Sequence, residues 1–463
     1  MRKLLAVFMM LALCLSLVAC PAGDPATGTT GTTASTGTTG GTKPEDKPTV
    51  SPLTVTADVE YATVGKMVTF TAAGGEGDCT FTLSDENMVS SKTQDGTTMM
   101  SRLAAAGTLT VTATRGEQTA TCSVTVFARG ESSIPLDDEN IYYHGRTEPG
   151  TDGTGVQLRS FATGFEVRFW GTALKVKMTG AGSNFSVFID GETNAEAKVM
   201  NLSADGNQGE LTLAEFDEPG IHRVKILKRN QEDLGINTLT GISVTGGGLL
   251  APETNYTMKI EVYGDSITCG HGAMRGNASD ATTMAYDNGL GTYAYLAATE
   301  LGAEFRAFAK SGLGLYTNPY GDTKWLKDIY GNVSRSSNTP YAAEAYVPDV
   351  IIINIGTNDC WAGNGSNGNV PYNAEDFKAA YIQFVKDLAA RYEGHDIQFF
   401  LCSGMMESAL AAPIASIVNT LSEEGFDVHA VVLNRTTSGG HPVYDEHKKS
   451  AEILVNAIDE ANA

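Results

Sequence analysis

The sequence predicts a multidomain chain: two β-rich modules followed by an α/β domain built on a parallel sheet. Three observations carry this. Between residues 51 and 245, apolar and polar residues alternate in short runs separated by turn residues, the period-2 signature of half-buried strands. From residue 257 the rhythm becomes strand, loop, helix, which argues a parallel sheet with helices on both sides, a three-layer arrangement. Within that part, Val350-Ile351-Ile352-Ile353-Asn354-Ile355 is nearly all apolar, as a strand covered on both faces should be.

Residues 1–20 open with Arg2 and Lys3, continue through an apolar run to Leu17, and end on Val18-Ala19-Cys20. The run is too short to span a bilayer, which takes about 20 apolar residues, so it reads as a secretory signal. Leu17-Val18-Ala19-Cys20 resembles the bacterial lipobox. That resemblance implies lipidation of Cys20 and an extracytoplasmic protein held at the membrane by the lipid; the alternative is an ordinary signal with a chance cysteine. Residues 21–50 are mostly Thr, Gly, Pro and Ala and form a tether, a coil of about 30 Å root-mean-square span.

Residues 51–129 carry Val68 and Phe70, Cys79, Phe81 and Leu83, Leu109 and Val111, and Cys122, Val124 and Val126 in alternating runs. This predicts a small β-sandwich that resembles bacterial immunoglobulin-like modules, with a spacer role or sugar binding open. Cys79 and Cys122 fall in phase with the apolar faces, so a disulfide between them is expected of an exported module. Residues 134–247 repeat the alternation at Phe165, Val167 and Phe169, at Leu174, Val176 and Met178, and at Phe185, Val187 and Ile189. Their strand density fits a β jelly roll. Residues 256–463 form the α/β domain. There Asn373 is placed to cap a helix whose Phe377, Tyr381, Phe384 and Leu388 share one face.

The net charge is −22, from 54 acidic and 32 basic residues. That excludes nucleic acid as a partner, since such binding rests on Lys and Arg neutralising phosphates. No Cys-x-x-Cys spacing occurs, so a structural zinc site of that kind is not expected.

The chemistry concentrates in four stretches of the last domain. Gly264-Asp265-Ser266-Ile267-Thr268 follows the run Met258–Tyr263, placing a serine at a strand end, where open α/β sheets bind ligands. A hydroxyl needs a base and an anion stabiliser to act as nucleophile. Lys310-Ser311-Gly312-Leu313-Gly314 offers backbone N–H groups with no side chain in the way, Gly356-Thr357-Asn358-Asp359 offers an amide donor, and His441-Pro442 offers an imidazole base. Asp265 and Asp359 read as turn-bonding carboxylates. His447, beside Asp445 and Glu446, reads as a solvated helix residue rather than a metal ligand, and His271 as a candidate cleft residue.

These four motifs, in this order, resemble the SGNH (GDSL-like) hydrolases. The β jelly roll before them, with Lys228-Arg229-Asn230-Gln231-Glu232 and Gly235, looks more narrowly like family 2 carbohydrate esterases over residues 134–463. The resemblance implies Ser266 as nucleophile, His441 as general acid/base, and an oxyanion hole of the Ser266 and Gly312 N–H groups and the Asn358 amide. It implies no metal or organic cofactor, and an acetylated polysaccharide or oligosaccharide, of xylan or glucomannan type, as substrate. Trp361 is a candidate sugar-stacking surface. Two positions depart from the family: Ser438 stands where many SGNH enzymes have an aspartate, and Gly440 where these esterases often have an aromatic. A neutral partner, a backbone carbonyl or the Ser438 hydroxyl, is then expected to hold His441. Two other functions stay open: a non-catalytic carbohydrate-binding surface lipoprotein, and an esterase for another short-chain acyl ester.

Overall fold

The computed structural model describes residues 50–180, 182–202, 207–276, 285–363, 370–437 and 440–463. The signal, the tether, Cys20 and Ser438 lie outside the described residues.

The first β region is a sandwich of two four-stranded sheets. One pairs Thr54–Ala57, Met67–Ala73, Thr98–Leu103 and Val89–Asp95; the other pairs Tyr61–Thr63, Gln118–Phe127, Gly107–Arg115 and Cys79–Leu83. The predicted inward residues Val68, Phe70, Leu109, Val111, Val124 and Val126 fill its core. The expected disulfide is absent: Cys79 and Cys122 are both free. The strand Gly107–Arg115 separates them, and Cys122 lies level with Leu83, not Cys79, across Val111. Strands two positions apart are about 9 Å apart, beyond a disulfide's reach even without that offset.

The second β region forms one continuous antiparallel network of ten strands. Its two longest strands, Gly164–Thr179 and Asn207–Lys228, pair along most of their length. Register shifts near Gly171 and between Leu174 and Lys175 bend them, as bulges do, and they curl around Phe165, Val167, Phe169, Val187, Val224 and Ile226.

The last region has a five-stranded sheet: β1 (Lys259–Gly264), β2 (Glu304–Ala309), β3 (Val350–Asn354), β4 (Gln398–Gly404) and β5 (Val428–Leu433). All pairs are parallel, in the order β2-β1-β3-β4-β5. The main helices are α1 (Tyr293–Glu300), α2 (Ala374–Arg391), α3 (Ala411–Glu423) and α4 (Tyr444–Ala461). Two buried clusters cover the sheet, one containing α1 and α4 residues, the other α2 and α3 residues. Asn373 caps α2 by accepting from the N–H groups of Glu375 (2.9 Å) and Asp376 (3.1 Å), and Phe377, Tyr381, Phe384 and Leu388 are buried as their spacing requires. Helix α3 was not expected. Its Pro413 lies in the first turn, where the missing N–H costs no intrahelical bond, and Ile414, Ile417 and Leu421 pack on the sheet.

The strand order reverses between β1 and β3. Such a switch point opens a crevice at the carboxyl ends of the strands, and the segments after β1, β2 and β3 carry Ser266, Gly312 and Asn358.

Candidate active site

At the end of β1 the chain turns sharply. The Asp265 side chain accepts from the Ile267 N–H (3.0 Å), its carbonyl from the Cys269 N–H (3.0 Å), and the Ser266 carbonyl from the His271 N–H (3.0 Å). The turn leaves the Ser266 hydroxyl facing a cavity of about 350 Å³, lined by residues that include His271, Gly312, Tyr320, Asn358, Trp361 and His441. Across it, the Ser266 Oγ donates to His441 Nε2 at 2.8 Å, within reach for proton transfer. The described structure therefore brings together all five residues singled out from the sequence for this site: Ser266, Gly312, Asn358, Trp361 and His441.

The loops that carry Gly312 and Asn358 are held by buried carboxylate chemistry. Gly312 has φ +77°, and a Cβ there would stand 3.2 Å from the Tyr320 ring, so the turn favours glycine on two counts. Asp359 accepts from the N–H groups of Leu315 (2.8 Å), Tyr316 (3.0 Å) and Thr317 (3.1 Å), tying the loop after β2 to the helical turn Thr357–Trp361. Asp265 and Asp359 thus act as turn-bonding groups, as read. Burial pushes both carboxyls up, Asp265 to about 7 and Asp359 to about 6, against the backbone hydrogen bonds they accept. The Asn358 amide donates to the Leu313 carbonyl at 3.0 Å and lies 3.4 Å from Asp265 Oδ2.

His441 is held neutral. Burial, then the neighbouring His271 and Arg275, push its imidazolium down to about 4, with Asp287 opposing. The His271 ring meets it edge-on at 4.8 Å between centroids, so His271 does line the cleft. Arg275 donates to the His441 carbonyl at 3.0 Å and fixes that backbone. Trp361 and Tyr320 remain 47% and 59% exposed, flat apolar faces at the mouth of the cavity.

His447 corrects an expectation. It is buried, stacks on Tyr293, and accepts from the Tyr293 N–H at 3.3 Å, satisfying an orphan donor at the start of α1. Burial drives its imidazolium down to about 3. Its place on the stripe Ser450, Ala451, Leu454 and Ile458 was a signal for burial that its charged neighbours masked.

The second β region reaches the site through residues 228–233. Gln231 bonds Ser311, Glu232 accepts from Ser336 N and Oγ, and Asp233 pairs with Lys310 at 2.7 Å. Deeper in the same seam, Arg146 donates to Glu261 (2.9 Å), to the Tyr263 hydroxyl (2.7 Å), and to the carbonyls of Tyr330 and Asn332 (2.6 Å each). Glu261 also accepts from the hydroxyls of Tyr263 (2.9 Å) and Tyr392 (2.7 Å). Burial opposes its charge, but Arg146 and these bonds hold the carboxyl below the usual range. Gln231 and Arg146 were not assigned roles from the sequence.

Comparison with known proteins divides the chain at the same place. Residues 143–253 match the model of the carbohydrate esterase 2 N-terminal domain, and residues 262–445 that of the GDSL-like Lipase/Acylhydrolase family. Cellulase/esterase CelE of Acetivibrio thermocellus is 28% identical over 345 residues, which cover 71% of this chain and 40% of that protein. The chain thus spans less than half the length of that relative. An acetylxylan esterase/glucomannan deacetylase of Cellvibrio japonicus is 27% identical over 338 residues, 70% of this chain and 89% of its own length. Among solved structures, a family two carbohydrate esterase from Clostridium thermocellum in complex with cellohexaose superposes with a TM-score of 0.62 at 25% identity, over 69% of this chain and 98% of that one. A family 2 enzyme with a carbohydrate binding domain from Corynascus thermopiles gives 0.60 at 26% identity, over 70% and 99%.

Proposed function

We infer that this chain, which carries the N-terminal and GDSL-like domains found in family 2 carbohydrate esterases, is a serine esterase that removes O-acetyl groups from polysaccharide. The observation that carries the reading is the 2.8 Å Ser266–His441 contact in a cavity also lined by Gly312 and Asn358. His441 Nε2 takes the Ser266 proton as Oγ attacks the acetyl carbonyl. The resulting oxyanion is met by the N–H groups of Ser266 and Gly312 and by the Asn358 amide. One Asn358 N–H is committed to Leu313; the other, with only a long contact to Asp265, is available to the oxygen. The tetrahedral intermediate collapses by breaking the bond to the sugar oxygen, which takes the proton from His441. Water then attacks the acetyl-serine with His441 as base, releasing acetate and restoring Ser266.

Both relatives from Cellvibrio japonicus bear the name acetylxylan esterase/glucomannan deacetylase, which supports xylan- or glucomannan-type substrates. The exposed faces of Trp361 and Tyr320 suit the flat apolar side of a sugar ring. In the same reading, Cys20 carries lipid, residues 21–50 lift the protein off the membrane, residues 51–129 form an immunoglobulin-like spacer, and residues 134–247 form a jelly roll built into the catalytic unit. The test is a substrate panel: acetate release from acetylated xylan and glucomannan, and 4-nitrophenyl esters from acetate to octanoate. Turnover falling steeply with chain length, and release from either polysaccharide, is the expected outcome; preference for octanoate would overturn the assignment.

A further inference from the structure

The structure assigns to Gln231 a positioning role: from the second β region, its side-chain amide fixes the Ser311–Gly312 turn that supplies an oxyanion donor. This rests on the esterase reading above. Gln231 is 3% exposed. Its Oε1 accepts from the Ser311 N–H at 2.9 Å, while Nε2 donates to Ser311 Oγ at 2.9 Å and lies 3.3 Å from Asp287 Oδ2. A backbone N–H only donates and a carboxylate only accepts, so one orientation of the amide satisfies all three contacts.

The clamp has a firm base. Lys228, fully buried, donates to the carbonyls of Leu158 (3.3 Å), Arg159 (2.6 Å) and Gly235. Asn230 accepts from the Asn184 N–H at 2.6 Å and donates to the Asp287 carbonyl at 3.0 Å. At the other end of Ser311, Lys310 Nζ donates to its carbonyl at 3.1 Å, and that carbonyl shares a peptide plane with the Gly312 N–H. Gln231 therefore holds Ser311 by its N–H and hydroxyl, and through it the direction in which the Gly312 N–H points. The same amide touches the histidine side of the site. Asp287 accepts from the Gly272 N–H at 2.8 Å and lies 3.4 Å from His271 Nδ1; His271 packs on His441. One side chain thus braces both walls of the cavity.

Deleting an oxyanion donor typically costs about 10²–10³ in kcat. Here the donor would remain but lose its orientation, so Gln231→Ala is expected to lower kcat for 4-nitrophenyl acetate about 10- to 100-fold with KM little changed. The affinity for phenylboronic acid, whose adduct with Ser266 directs an oxygen at the same donors, should fall in step. Glu148→Gln serves as control. It weakens a contact across the same seam, Ser337 Oγ to Glu148 at 2.6 Å, that touches neither Ser311 nor Asp287, and should keep kcat. Wild-type kcat and boronate affinity in a folded Gln231→Ala protein would overturn the proposal, as would an equal loss in Glu148→Gln.

Should Gln231→Ala fail to fold, Gln231→Glu keeps the acceptor for Ser311 but sets a carboxylate against Asp287. Its kcat relative to wild type should rise as pH falls toward about 5, where the introduced acid begins to take up a proton and can donate again. A ratio near one at every pH overturns the proposal. A wild-type protein without activity on the ester would instead overturn the esterase reading itself.

Discussion

The two β regions share an alternating pattern but join their neighbours by different physics. The first meets the second through a ring stack, Tyr61 on Phe127 at 6.3 Å and Phe127 on Trp170 at 5.6 Å. Gly248 makes room for it: a Cβ there would lie 2.6 Å from Phe127. That contact is apolar. The second meets the α/β region through buried, directional bonds, from Arg146 to Glu261 and Tyr263 and from Asn230 and Gln231 to the segments that carry the site. A buried charge network is costly unless its groups are matched; here the two terminal nitrogens of Arg146 and both oxygens of Glu261 find partners, while Arg146 Nε has none among the described residues. This seam therefore fixes one arrangement of the two regions, whereas ring stacking of the first kind only holds them close. One β region is part of the candidate active site, and the other is attached to it.

The comparison breaks most visibly at Arg146. Arg146→Met leaves Glu261 charged and buried without its partner, a loss of about 3–5 kcal/mol, read by urea denaturation followed through tryptophan fluorescence. Adding Glu261→Leu should recover a large part of it. If the single variant unfolds at the same urea concentration as wild type, the seam is not held as described. Next in size, Asn358→Ala should lower kcat about 10²–10³-fold with KM nearly constant, measured with 4-nitrophenyl acetate. A rise in KM alone would make Asn358 a ground-state contact.

The pH profile sharpens the same contrast between satisfied and poised groups. In the proposed mechanism the base form of His441 is the active one, and burial pushes its imidazolium down to about 4, below the ordinary value of about 6.5. Above pH 4 the imidazole is neutral, so any fall in kcat/KM between neutral pH and about 5 should follow Asp265 and Asp359, whose carboxyls burial pushes up to about 7 and about 6, while His441 adds a tenfold loss per unit below 4. A His441 imidazole that titrates near 6.5 by NMR would contradict the burial assigned to this ring. Smaller still, Trp361→Ala should raise KM for acetylated polysaccharide about two- to tenfold, the value of a lost aromatic contact of about 0.5–1.5 kcal/mol, and leave KM for the small ester unchanged. Smallest of all, removing residues 51–129 should not change kcat or KM on the small ester. A large loss would make the first β region part of the site and end the distinction drawn here.

Much of the site was legible because the fold puts it at strand ends. Ser266 follows a short run that alternates apolar and polar, Gly312 a short strand and Asn358 a nearly all-apolar one, and glycines beside them mark tight turns. His441 stands just ahead of the closing helix α4. What was not legible depends on distance along the chain. Gln231 meets Ser311 eighty residues away, and Arg146 meets Glu261 across 115; a polar residue in a loop carries no periodicity that announces such a partner. The burial of His447 was hidden by the charges of Asp445, Glu446 and Lys448 beside it. The Cys79–Cys122 pairing failed because facing the same core fixes neither neighbouring strands nor register.

The most direct test of Ser266 as the covalent nucleophile is to trap the intermediate. Wild type and His441→Ala would be mixed with a large excess of 4-nitrophenyl acetate, quenched in acid during turnover, and digested for mass spectrometry of the peptide containing Ser266. The expected result is a single acetyl group on Ser266 in the wild type and none above background in His441→Ala. Acetate release by a wild-type protein that carries no acetyl on Ser266, or carries it on another residue, would contradict the mechanism.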